Sequence, residues 1–156
     1  MIAEPTIAQR NDLDKIEAVE DFILQNVPQE DCPLQHHFAP GIYMREILMR
    51  KGLVVIGHEH NTEHLNVVHT GSATVIMDGV MHHIVAPAIF KSMPHVRKIL
   101  YIHEDMLWST IHPTEETNID KLTETLVTKS LSYLKYAEDM KVLQDAALAA
   151  AIKGDN

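Results

Sequence analysis

Apolar residues recur near the start of the chain at steps of three and four: Leu13, Ile16, Val19, Ile23 and Val27. That is the period of a helix with one covered face, so an amphipathic helix is expected over about residues 11–26, stopped by Pro28. Residues 28–41 (PQEDCPLQHHFAPG) hold three prolines and a glycine and read as a linker. The rhythm then changes. Short runs rich in β-branched and aliphatic residues follow: IYMREILM, LVVIGHEH, HLNVVH, ATVIM, VMHHIVA, VRKILYI and MLWSTIH. Turn signals separate them at Lys51-Gly52, Asn61-Thr62, Thr70-Gly71-Ser72, Asp78-Gly79, Pro87 and His103-Glu104-Asp105, and Pro113 closes the series.

About seven strands at such close spacing predict a sandwich or barrel, not βαβ units. Asp78-Gly79 is the strongest hairpin signal, since both central residues of that tight turn need positive φ. Beyond Pro113 the helical period returns through Ile119, Leu122, Leu126, Leu134 and Ala137. Thr117 with Asp120 resembles a capping box, and one long helix is expected over residues 117–152, ending near Gly154. The expected organisation is a helix and linker over 1–37, a mainly β barrel over 38–113, and a helical extension over 114–156.

Composition narrows the function classes. A chain of 156 residues is one domain's worth and can bury a core without staples. A net charge of −9 with no cluster of Lys and Arg argues against a nucleic-acid face. Cys32 is the only cysteine, so no internal disulfide can form. The acidic amino terminus lacks the profile of a signal peptide, and no apolar run approaches a membrane span. The expectation is a cytoplasmic protein without nucleic-acid or membrane partners.

Histidine is the exception to this ordinary composition: of 11 in the chain, nine lie between positions 58 and 112. His58 and His60 are two apart on an expected strand and so share a face, and His64 follows just past the turn at Asn61-Thr62. Three imidazoles from one hairpin can converge on a divalent ion and leave positions open for water or substrate. Only neutral imidazole binds, so metal affinity is expected to fall as pH drops through about 6.5.

The spacing of Gly52, His58, His60, His64 and Gly71 resembles the first motif of the cupin superfamily. Two glycines and three histidines at fixed offsets match by chance roughly once in ten thousand chains of this composition. The departure is His64, where cupins usually carry Glu; Glu63 is adjacent, but alternation turns it to the other face. The resemblance covers residues 38–113 and implies a single jelly-roll-like barrel holding one divalent transition metal: Zn, Fe, Ni or Mn. The motif's second half implies a fourth ligand, for which His95 after Pro94 ranks first, His112 second and His103 third. The middle of the chain, with GHEHNTEHLNVV and LWSTIHPTEET, is also similar to cupin-like proteins of tailed bacteriophages.

Other residues have weaker claims. Tyr43, Arg45, Arg97, Tyr101 and Trp108 could line the barrel mouth. Arg97, two residues beyond His95, could hold a substrate carboxylate or phosphate bidentately, with Tyr101 beside it. His36, His37, His69 and at least one of His82 and His83 read as surface residues. Two functions follow. One is a metalloenzyme for a small polar molecule of carboxylate or sugar type; the other is a non-catalytic phage accessory or virion protein. No catalytic base stands out. Cupins commonly dimerise, and the flanking helices exceed what a small barrel needs, so a homo-oligomer, most simply a dimer, is expected.

Overall fold

The computed structural model describes residues 3–154. The first helix, α1 (Ile7–Asn26), starts one turn before the apolar stripe because a reciprocal cap precedes it. The Thr6 hydroxyl accepts from the Gln9 amide and the Gln9 side chain accepts from the Thr6 amide, which satisfies two orphan donors. The stretch read as a linker contains a strand, β1 (Leu34–Ala39), which turns at Pro40-Gly41 into β2 (Ile42–Met49). Next come the short β3 (Val54–Ile56) and β4 (Glu59–His60), then β5 (His64–Met77), β6 (Val80–Val85), β7 (Ala88–Ser92) and β8 (Ile99–Pro113). Asp78 and Gly79 make the β5–β6 turn with φ of 52° and 69°, the pair of positive values such a turn demands.

β5 and β8 are single strands of 14 and 15 residues, where turns had been expected at Thr70-Gly71-Ser72 and His103-Glu104-Asp105. They pair antiparallel with each other along most of their length, and the register shifts between Val68 and Ala73. That irregularity is a bend, not a turn. Before it, β5 lies between β7 and β8, and β8 continues to β2 and β1; after it, β5 lies between β6 and β8, and β8 pairs with β3. All pairings are antiparallel. Each long strand thereby serves two halves of one seven-stranded sheet. Val68, Met106 and Trp108 from one half close on Val75, Ile84 and Leu100 from the other in a single apolar core. The result is the mainly β, jelly-roll-like architecture.

Gly71 sits at the bend with φ of +87°, and a Cβ there would lie 2.4 Å from the Asp105 carbonyl oxygen. The three atoms it would meet all belong to the backbone of Glu104 and Asp105, so no rotamer relieves the clash. Gly71→Ala is expected to cost about 3 kcal/mol or more, read from a denaturant melt. A variant within 0.5 kcal/mol of wild type would show that the crossing yields.

The carboxy-terminal segment also departs from expectation. It is not one helix but α2 (Ile119–Leu126), a two-residue strand β9 (Val127–Thr128), and α3 (Leu131–Gly154). Asn118 is the cap of α2, accepting from the Lys121 amide; Thr117 lies outside. The β-branched pair Val127-Thr128 leaves the helix to pair with Glu59-His60, so the extension is built into the histidine-bearing strand. No described helix is long and apolar enough to cross a membrane.

Candidate metal centre

Three elements bring three imidazoles together. His60 comes from β4, His64 opens β5, and His112 comes from the end of β8. The β5–β8 ladder pairs Leu65 with Ile111, so His64 and His112 stand side by side one step further on. On its other side His112 pairs with Tyr43 of β2, and the two rings stack. His60 is held over them by the turn between β4 and β5. The Asn61 amide donates to the Leu126 carbonyl, its side chain donates to the Thr125 carbonyl, and Thr128 donates to its Oδ1. The ring centroids of His60 and His64 are 4.4 Å apart, those of His64 and His112 4.9 Å. One nitrogen from each of the three lies within 4.8 Å of the others.

The hydrogen bonds leave these rings ready to bind. His64 Nδ1 lies 3.0 Å from the Thr62 carbonyl and must be the N–H donor, which leaves Nε2 with its lone pair. Nε2 of His64 and Nδ1 of His58, His60 and His112 are buried and have no partner among the described residues, and neither has the Thr62 hydroxyl. Orphaned buried polar atoms are rare because each costs the desolvation it cannot recover. Three of these rings, His60, His64 and His112, also bring a nitrogen each to one spot, a donor set that fits a divalent ion.

Burial also keeps the rings neutral. It is the main reason His60 lies well below the ordinary range, helped by the neighbouring His64 and Lys98. Burial lowers His64 too, partly offset by its bond to Thr62. His112 is held at about 4 by burial, then by His64 and Arg45. His58 is also held at about 4, by burial and then Arg97. Proton competition with a metal is therefore set by these lowered values, not by 6.5.

A stability consequence follows for metal-free protein. The unfolded chain takes up protons at His58 and His112 near pH 6.5, whereas the folded chain resists until about 4. Stability is lost as pH falls through that window, by up to roughly 1.4 kcal/mol per pH unit per group. The melting temperature should drop between pH 7 and 5, less steeply in His112→Asn. Equal slopes for variant and wild type would contradict the assignment.

The remaining sequence candidates fall elsewhere. His58 lines the cavity beside His60 and His64, with its ring edge-on to Tyr133 of α3 at 4.6 Å. His95 is not brought into the cluster. Its Nδ1 bonds Glu59 at 2.6 Å and its Nε2 bonds the Ala3 carbonyl, so both nitrogens are engaged. Burial pulls His95 down, but those two bonds outweigh it and raise its pKa. His103 is on the outer side, bonded to Thr74 and packed against Tyr101, which is itself exposed. Arg97 does not face the cavity either. It forms a buried bidentate pair with Glu20 of α1, both residues 3 % exposed. Arg97 Nε also donates to the Gly57 carbonyl, and Ser130 donates to Glu20, so one pair ties α1, the strand before the site and the start of α3. Glu63 pairs outward with Lys91. Trp108 belongs to the core, its indole N–H donating to Asn66, itself bonded to Ser92.

Two spaces adjoin the cluster. An open groove of about 430 Å³ runs past His64 and His112. A smaller inner cavity of about 90 Å³ reaches His58, His60 and His64, with Arg45, Lys98, Asn66 and Thr110 on its wall. Leu122 and Leu126 of α2 pack on Tyr43, the neighbour of His112, so the segment outside the motif helps to wall the site.

Fold and site together define a small mainly β protein with a three-histidine cluster at one end of its barrel, and some of the solved structures similar to it are described as cupins. The plu4264 protein of Photorhabdus luminescens is similar in structure, 17% identical, covering 63% of this chain and 88% of that one, with a TM-score of 0.48. KdgF from Halomonas sp. is 13% identical over 60% of this chain and 92% of its own, with a TM-score of 0.46. An RmlC-like cupin from Shewanella frigidimarina is 24% identical over 59% and 88%, with a TM-score of 0.44. No protein-family model matches the sequence, and no curated protein matches it.

Proposed function

We propose that this protein is a metal-binding cupin in which His60, His64 and His112 hold one divalent ion, Zn, Fe, Ni or Mn, beside a cavity for a small polar molecule. The observation that carries this reading is the convergence of three imidazoles, each of which keeps a buried ring nitrogen with no partner among the described residues. Three protein ligands leave coordination positions open, the arrangement of a catalytic more than a structural site. A divalent ion there supplies Lewis acidity to a bound carbonyl or hydroxyl oxygen. The chain's own part is to keep the rings neutral through burial, to fix the His64 tautomer through Thr62, and to bound the cavity with Trp108 and Leu100. Metal analysis of protein purified without chelators or a His-tag tests the reading. About one equivalent is expected. Protein that stays metal-free after dialysis against Zn, Ni, Fe and Mn would sink it.

The protein is further proposed to be a homodimer in solution. α1 and α3 lie together, yet α3 buries none of its residues. Val142, Leu143, Leu148 and Ile152 are each more than 60 % exposed. Such an apolar face seeks a partner. Leu143→Glu combined with Leu148→Glu should shift the mass measured by light scattering from dimer to monomer. A wild type that is monomeric at high micromolar concentration rules the dimer out.

A further inference from the structure

The inner cavity is lined by two cations that have no ion-pair partner among the described residues, Asp78 acting on Lys98 only from beyond ion-pair distance. Arg45 points into it from β2, and Lys98 from the segment preceding β8. Lys98 is only 8 % exposed. Among the described residues neither side chain has a carboxylate within ion-pair range, and neither donates a side-chain hydrogen bond. Arg97 shows what the fold does otherwise. One residue before Lys98 and equally buried, it receives both oxygens of Glu20. Lys98 is buried and Arg45 partly so, and drawing a charge out of water without a partner is costly, so two left together mark a place where the partner comes from outside. The surrounding imidazoles carry no negative charge and offset nothing. The charged ends are not sealed in, since no polar atom of either residue is among the fully buried unpartnered ones.

The rest of the wall selects among anions. The same wall carries Met49, Val55, Leu100 and Trp108, an apolar surface that an inorganic oxyanion would leave unused. A volume of about 90 Å³ matches on the order of three waters at their liquid volume. That suits a ligand of few heavy atoms. A guanidinium fork matches the edge of a carboxylate, and an ammonium adds a point charge from a second direction.

We propose that the inner cavity binds a short aliphatic carboxylate, its head between Arg45 and Lys98 and its stem against Leu100 and Trp108. The inference deepens the reading of this cavity as the ligand site but does not depend on the metal. Butyrate, its neutral isostere butyramide and inorganic phosphate are titrated calorimetrically into wild-type protein, metal-free and Zn-loaded. Butyrate should bind both forms, about tenfold or more tighter than butyramide, because the amide forfeits the charged contacts. Arg45→Gln and Lys98→Met should each weaken butyrate by about tenfold or more, while Zn content is kept and the melting temperature holds or rises because an unpaired charge is removed.

Butyramide binding as tightly as butyrate overturns the proposal, as does phosphate binding tighter than butyrate. Butyrate binding that needs Zn and is unmoved by both substitutions also overturns it, since the ion alone would then hold the carboxylate. The isostere comparison uses only wild-type protein and stands even if the variants misfold. Protein that takes up Zn but not butyrate refutes this inference alone. Protein that binds butyrate but never Zn refutes the metal reading and leaves this one standing.

Discussion

Replacement of His60 by Ala should remove stoichiometric metal from the protein. His60, His64 and His112 supply every imidazole of the cluster, and even loss of a group that merely orients a ligand costs about 10–100-fold in affinity. Loss of a ligand itself should exceed that, so Zn affinity is expected to fall by more than about a hundredfold. A second readout is thermal. Excess metal stabilises the folded state by mass action, about 2.7 kcal/mol at a hundred times the dissociation constant. Wild-type protein should therefore melt several degrees higher with Zn than without, and His60→Ala should show no such rise. His112→Ala should behave likewise. His95→Ala should keep its metal, because both nitrogens of that ring are engaged by Glu59 and the Ala3 carbonyl. Equimolar metal in His60→Ala, or its loss from His95→Ala, would assign the site to a different set of rings.

The second large effect is expected at Glu20. Its carboxylate meets the Arg97 guanidinium at 2.7 and 3.2 Å in a place where neither is reached by solvent. Glu20→Ala leaves Arg97 buried and uncompensated, a change that costs about 3–5 kcal/mol. For a chain of this length that is a fall in melting temperature of about 10 °C. The double variant Glu20→Ala, Arg97→Met removes the stranded charge and should recover much of the loss. The pair also anchors Gly57 and Ser130, which flank the histidine strand and open α3. Zn affinity should therefore weaken in Glu20→Ala although no ligand has changed. A single variant that melts within 2 °C of wild type, roughly a kcal/mol, would show that Arg97 finds water or another partner.

Much of this was legible in the chain and some was not, and the division follows sequence distance. The helical period around Ile16, the Asp78-Gly79 turn and the placing of His60 and His64 on either side of one turn are local patterns. Residues a few positions apart fix them through backbone geometry alone. The two glycines of the histidine motif were legible for the same reason, although only the fold shows that Gly71 is needed where β8 crosses at the Asp105 carbonyl. Polar residues at a bend and at a turn look alike in sequence, and so β5 and β8 were each expected as two strands. Val127-Thr128 was hidden inside a helical period because its strand partner, His60, lies 67 positions earlier.

The third imidazole shows the same limit. His112 is 48 residues from His64, and it outranks His95 only because the antiparallel register of β5 and β8 sets it beside His64. Arg97 was read as a substrate contact, whereas the packing of α1 supplies Glu20 and withdraws it; Arg45 and Lys98, given no such partner, face the cavity instead. Sequence by itself determined which side chains the site could draw on, since spacing decides what one strand or hairpin can present. Which of them meet, and which charges are left without a partner, was decided by the pairing of distant strands, because only that pairing determines what is buried against what.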